Sequence, residues 1–208
     1  MKLLRKTTTA AAALLATAAF ADVNVGISLS LTGPGSGLGI PMNNYYTKSF
    51  PKTIGGEKVN LIIADDATDP GKGVANVRRF ITEDKVDVII GSTITPVAAA
   101  IAPLAAESKT VQLAASPVGV PDDSWTFRLP QGNDVMMHPI MLHMKKHGVK
   151  TVGFIGYTDA YGELWLKALN AAAEEGGFKV VAVERFGRTD TSVTPQALKL
   201  ASANPDAI

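Results

Sequence analysis

From Asp22 onward the chain alternates between two kinds of hydrophobic pattern. Short β-branched runs (Asp22–Ser30, Val59–Ala64, Val86–Ile90, Thr110–Ala115, Thr151–Gly156 and Phe178–Phe186) read as strands, most of them buried on both faces. Between them lie stretches with helical spacing: Pro41–Phe50, Pro70–Asp84, Val97–Ala106, Gln131–His147 and Ala160–Glu175. A last helix is predicted to begin at Thr194-Pro195 and run through Ala203. In Pro70–Asp84 the residues Val74, Val77, Phe80 and Ile81 share one face. Trp125–Leu129 alternates as a short strand, and Asn204–Ile208 reads as a turn into one more. This alternation predicts an α/β fold with a parallel sheet and helices on both faces. Ligands in such folds bind beyond the carboxyl ends of the strands.

The first 21 residues follow a different pattern. Lys2, Arg5 and Lys6 precede the apolar run Ala10–Phe20 and the small-x-small site Ala19-Phe20-Ala21. This is the pattern of a secretory signal peptide cleaved after Ala21, and the run is too short to span a bilayer. Its removal takes the formal charge from +1 to −2, which argues against a nucleic-acid or anionic-membrane partner. The chain has no cysteine, so neither a disulfide framework nor a lipid anchor behind the leader is expected. The composition shift near Leu129–Gly132 predicts a domain crossing, dividing the chain into a leader (1–21), a first α/β unit (22–130) and a second (131–208).

Four segments are predicted at the carboxyl ends of strands: Gly33–Gly39, Gly91–Pro96, Ala114–Pro117 and Tyr157–Gly162. The first has glycine at every second position, which suits close approach of backbone to a ligand. It lacks the dinucleotide fingerprint, and Gly71-Lys72-Gly73 lacks the Ser or Thr of a phosphate loop, so nucleotide binding is unsupported. In the second, Thr95 reads as an N-cap with Pro96 at the first helical position. Free N–H groups at that helix start, with the hydroxyls of Ser92, Thr93 and Thr95, suit a small anion. The same pattern fits an ordinary strand-to-helix turn, and local sequence leaves both readings open. Asp65, Asp66 and Asp69 do not meet calcium-loop spacing; Asp69 reads as the cap of the helix from Pro70.

His143 and His147 lie four apart, but Met144 stands where a zinc protease needs Glu, and a solvated helix face is expected. Met136, Met137, Met141 and Met144 read as helix packing. There is no G-x-S-x-G elbow and no cysteine nucleophile. No metal, no cofactor and no catalytic residue is assigned, and the chain is not read as an enzyme.

Taken in order, Leu31-Thr32-Gly33-Pro34, Asp65-Asp66-Ala67-Thr68-Asp69-Pro70, Ile89-Ile90-Gly91-Ser92, Ala114-Ala115-Ser116-Pro117 and Thr158-Asp159-Ala160-Tyr161-Gly162 behind a leader resemble the periplasmic branched-chain amino-acid-binding family. These are type I solute-binding proteins of ABC importers. The resemblance implies two Rossmann-like parallel-sheet lobes, the second incomplete here, that close on a small carboxylate and deliver it to membrane permease subunits. It implies a periplasmic monomer. It places Thr95 against the ligand carboxylate and the Ala114 carbonyl toward a ligand ammonium, with Ala115 beside it. Ser116 would touch both ligand ends, and Tyr161 would close over the ligand. Leu38 stands where several relatives have tyrosine. Family members are nearly twice as long, so the chain reads as an N-terminal fragment that is poorly soluble and binds weakly alone. The resemblance leaves open a branched-chain amino acid or another carboxylate such as an aromatic acid. A ligand-sensing receptor on the same fold is the alternative function, with a secreted α/β enzyme behind it.

Overall fold

The computed structural model describes residues 22–119 and 121–208; the leader reading lies outside them. Two sheets organise the described chain. The first has six strands in the order β2-β3-β1-β4-β5-β6, built from β1 (Val23–Leu29), β2 (Thr53–Ile54), β3 (Glu57–Asp65), β4 (Val88–Gly91), β5 (Val111–Ala114) and β6 (Thr126–Arg128). All its pairings are parallel except β2 with β3. That two-residue edge strand was not expected. It folds back across the Gly55-Gly56 turn, both glycines at positive φ, and hydrophobic pattern carries no signal for so short a strand.

Helices cover both faces of this sheet. Val25, Ile27, Leu29, Val59 and Ile90 bury one face under Tyr46 of α1 (Ser36–Lys48). On the other, Val86 and Ile89 pack with Val77 and Phe80 of α2 (Pro70–Thr82) and with Ile101 and Ala105 of α3 (Thr95–Ser108). Gly26 makes room for this packing: a β-carbon there would lie 2.6 Å from the Phe80 ring. Asp69 caps α2 as read from sequence, accepting the Lys72 N–H at 2.7 Å with Pro70 following.

Helix α1 begins five residues before the expected start, and the glycine-rich segment forms its entry and first turns. The close approach these glycines allow is to the protein's own backbone. A β-carbon at Gly39 would overlap the Ser30 carbonyl, and one at Gly35 would meet the Ile94 side chain at 2.6 Å. Gly33, at φ 76°, abuts the Ala67 carbonyl. The segment therefore serves helix–strand packing, and only Leu38 from it reaches the cleft described below.

The second sheet pairs β7 (Thr151–Tyr157) and β8 (Lys179–Phe186) in parallel. Helices α4 (Asn133–Lys146) and α5 (Ala160–Gly176) enclose a core of Met137, Met141, Met144, Val152, Leu169 and Phe178, so the buried methionines are packing residues. Helix α6 (Thr194–Ser202) buries Leu200 near Gly153. Beyond it, Ala207 bridges Val152 in parallel, and Asp206 accepts the N–H groups of Lys150 and Thr151, each at 2.8 Å. His143 and His147 are exposed, their rings 4.4 Å apart. No helix among the described residues is long and apolar enough to cross a membrane.

Candidate functional site

The parallel register brings Leu29, Asp65 and Gly91 to one edge, the carboxyl ends of β1, β3 and β4. There the turn from β4 into α3 is held from below by two buried polar groups. Asp66 is fully buried and accepts the hydroxyls of Ser30 and Ser92 (both 2.6 Å) and Ser28 (3.3 Å), and the Thr68 N–H (3.0 Å). Ser92 Oγ in turn accepts the Ile94 N–H at 3.3 Å. From the other side Gln112, also fully buried, donates to the carbonyls of Gly91 (2.9 Å) and Ala98 (3.1 Å) and accepts the Thr126 hydroxyl (2.7 Å). Every polar atom of these two side chains has a role, as burial requires. The turn is therefore rigidly placed at the helix start.

Above it lies a cleft of about 330 Å³ between the two sheets. One wall is Leu38, Thr93, Ile94, Thr95, Ala115, Pro117 and Pro130; the other is Tyr157, Tyr161 and Arg188. Thr93 Oγ1 and Ser116 Oγ are buried, 6% and 2% exposed, and have no hydrogen-bond partner among the described residues. Thr93 lines the cleft, and Ser116 lies between two residues that do, Ala115 and Pro117. Native structures rarely leave buried hydroxyls unpaired, so the Thr93 hydroxyl points to a polar occupant.

Thr95, Ala115 and Tyr161 line the cleft. Thr95 is the first residue of α3 and Ile94 is its N-cap, one position earlier than read from sequence. The Thr95 hydroxyl donates to the Pro117 carbonyl at 2.7 Å, tying α3 to the loop after β5. Its proton is thereby committed, and Thr93 carries the unpaired hydroxyl. Ser116 sits buried within that loop and is not among the residues lining the cleft. Ala114 is fully buried and does not line the cleft; its carbonyl accepts the Leu129 N–H at 3.0 Å.

On the second wall, Asp159 caps α5: its Oδ1 accepts the N–H groups of Tyr161 (2.9 Å) and Gly162 (3.3 Å). Its Oδ2 pairs with Arg188 Nε at 2.6 Å, and the guanidinium lies over the Tyr157 ring, 4.1 Å from its centre. The sequence grouped Thr93 with Ser92 and Thr95 as hydroxyls of the turn without separating them, and did not single out Arg188. Arg188 sits in a polar loop with no motif around it, and only its spatial partner Asp159 marks it.

The family described as "Periplasmic binding protein" matches residues 22–208. The chain belongs to that family. An extracellular ligand-binding receptor from Rhodopseudomonas palustris HaA2 is similar, with 44% identity and a TM-score of 0.87 over 90% of this chain and 53% of that one. A solute-binding protein of an ABC transporter from Rhodopseudomonas palustris BisB5, solved with 3,4-dihydroxybenzoic acid, is 26% identical with a TM-score of 0.75, covering 90% of this chain and 54% of that one. A Brucella melitensis protein named Leu/Ile/Val-binding protein homolog 3 is 28% identical over 164 residues, 74% of this chain and 43% of that protein. The chain thus spans about half the length of these relatives. Their shared architecture is the type I periplasmic-binding-protein fold, and the family and its relatives are solute-binding proteins.

Proposed function

We propose that the protein is the periplasmic solute-binding component of an ABC importer. Residues 22–130 and 131–208 contribute its two lobes, and the cleft between them receives a small carboxylate for delivery to a membrane permease, without turnover. The observation that carries this reading is the pair of buried, unpartnered hydroxyls, Thr93 at the amino end of α3 and Ser116 in the loop after β5. Hydroxyl donors beside a helix start suit a carboxylate, and the aromatic rings of Tyr157 and Tyr161 suit an apolar ligand body. Two relatives bracket the ligand class: the protein solved with 3,4-dihydroxybenzoic acid and the one named for Leu/Ile/Val.

The test is calorimetric titration of the full-length protein with 3,4-dihydroxybenzoate and with leucine. Saturable binding of a carboxylate is expected. Thr93→Val and Ser116→Ala each remove one hydrogen bond to a charged group, worth about 1.5–3 kcal/mol, or roughly a 10- to 150-fold loss of affinity. Unchanged affinity in both variants, at unchanged melting temperature, would refute the site assignment.

A further inference from the structure

The two hydroxyls supply donors but no charge, and the cleft's charged lining residue is on the opposite wall. Arg188 is four-fifths buried at its side chain, and Asp159 engages its guanidinium through Nε alone. A bidentate pair would use an Nη as well. Here neither Nη has a hydrogen-bond partner among the described residues, so their four N–H groups remain as an open fork. Both oxygens of Asp159 are already engaged, Oδ1 by the first turn of α5 and Oδ2 by Nε. The stack on Tyr157 fixes the plane of the fork, and Arg188 lines the same cleft as Thr93 and Thr95. A planar, held guanidinium with a free edge matches a carboxylate geometrically; a lysine ammonium would not be oriented in this way.

We propose that Arg188 is the ligand's cationic partner, and that the cleft selects carboxylates lacking an adjacent ammonium group. This rests on the solute-binding reading above. Among the described residues lining the cleft none is acidic, so an α-ammonium group would meet Arg188 with no counter-charge. Asp159 is a positioning residue that acts through Arg188.

The test compares three probes on the full-length protein: 3,4-dihydroxybenzoate, its neutral carboxamide and L-leucine, with wild type, Arg188→Gln and Arg188→Lys. Wild type is expected to bind the acid at least tenfold more tightly than either other probe. Arg188→Gln should weaken the acid roughly 10- to 150-fold while changing the carboxamide less than twofold, and Arg188→Lys should recover only part of the loss. Equal losses for acid and carboxamide would make Arg188 structural and overturn the proposal, as would leucine binding more tightly than the acid. Unchanged acid affinity in Arg188→Gln would overturn it as well. If wild type binds none of the three saturably, the solute-binding reading fails, and this proposal fails with it.

Discussion

Replacing Asp66 by alanine should unsettle both the fold and the cleft. The carboxylate is fully buried, and it takes the hydroxyl protons of Ser30 and Ser92 at 2.6 Å each, with Ser28 at 3.3 Å and the Thr68 N–H at 3.0 Å. Without it the fully buried Ser30 and Ser92 hydroxyls lose their acceptor where water does not reach, and the part-buried Thr68 N–H loses its own. Each unsatisfied group costs about 1–3 kcal/mol. Relief of the buried charge and rotation of the hydroxyls offset part of this, leaving a net loss of about 3–5 kcal/mol. Asp66→Asn keeps the shape and one acceptor oxygen, and hydroxyls can rotate to accept from its amide, so its cost should be about 1–2 kcal/mol. Urea unfolding followed by circular dichroism would show a lowered midpoint at unchanged slope, alanine well below asparagine. In a melt, the alanine variant should drop by roughly 6–20 °C for a chain of this size. An Asp66→Ala protein within about 0.5 kcal/mol of wild type, at the scale of an ordinary surface change, would refute the reasoning.

Two further perturbations probe neighbouring features. Burial opposes ionisation of Asp65, but the Thr32 hydroxyl and the N–H groups of Ala67, Leu31 and Thr32 outweigh it and hold the carboxyl below the usual carboxylate range. A lowered folded-state pKa adds stability above the unfolded value of about 3.9, and that stability is lost as pH falls through the folded one. Asp65→Asn should therefore lower the urea midpoint at pH 7, and its gap to wild type should narrow below about pH 4; a gap that does not change with pH would exclude the linkage. Gly91, at φ 120°, packs so closely on the Ser28 carbonyl that a β-carbon would overlap it, whereas a β-carbon at Gly37 would meet nothing within 4 Å. Gly91→Ala should cost about 2–4 kcal/mol, while Gly37→Ala, in a helix, should gain about 0.5–1 kcal/mol. Indistinguishable melting temperatures for the two would contradict this packing.

Several features of the fold and site were legible along the chain because their causes are local. The cap at Asp69 and the proline behind it are neighbours in sequence, so the start of α2 could be read directly. The β-branched runs became the parallel strands, and the buried methionines of α4 fell where helical spacing placed them. The glycine-rich segment was harder. Gly35, Gly37 and Gly39 look like a loop by propensity, yet α1 starts at Ser36, with Gly39 lying against the Ser30 backbone. That contact belongs to a strand packed beneath it, which propensity cannot see.

The chemistry of the cleft divides in the same way. Sequence by itself determined that hydroxyls cluster between β4 and α3, and that a polar turn with Asp159 precedes α5. These follow from residue types within a single turn of chain. Only the tertiary structure decided which hydroxyl of the turn is free: the Pro117 carbonyl, 22 residues on, accepts that of Thr95, Asp66 accepts that of Ser92, and Thr93 has no partner among the described residues. It likewise decided that Arg188, 29 residues beyond Asp159, turns a capping aspartate into an anchor for a guanidinium facing the cleft. Periodicity and capping act over one or two turns, whereas hydrogen-bond satisfaction depends on whatever the fold brings within 3 Å. The residues that remain unsatisfied, and so are available to a ligand, are therefore visible only once the chain is folded.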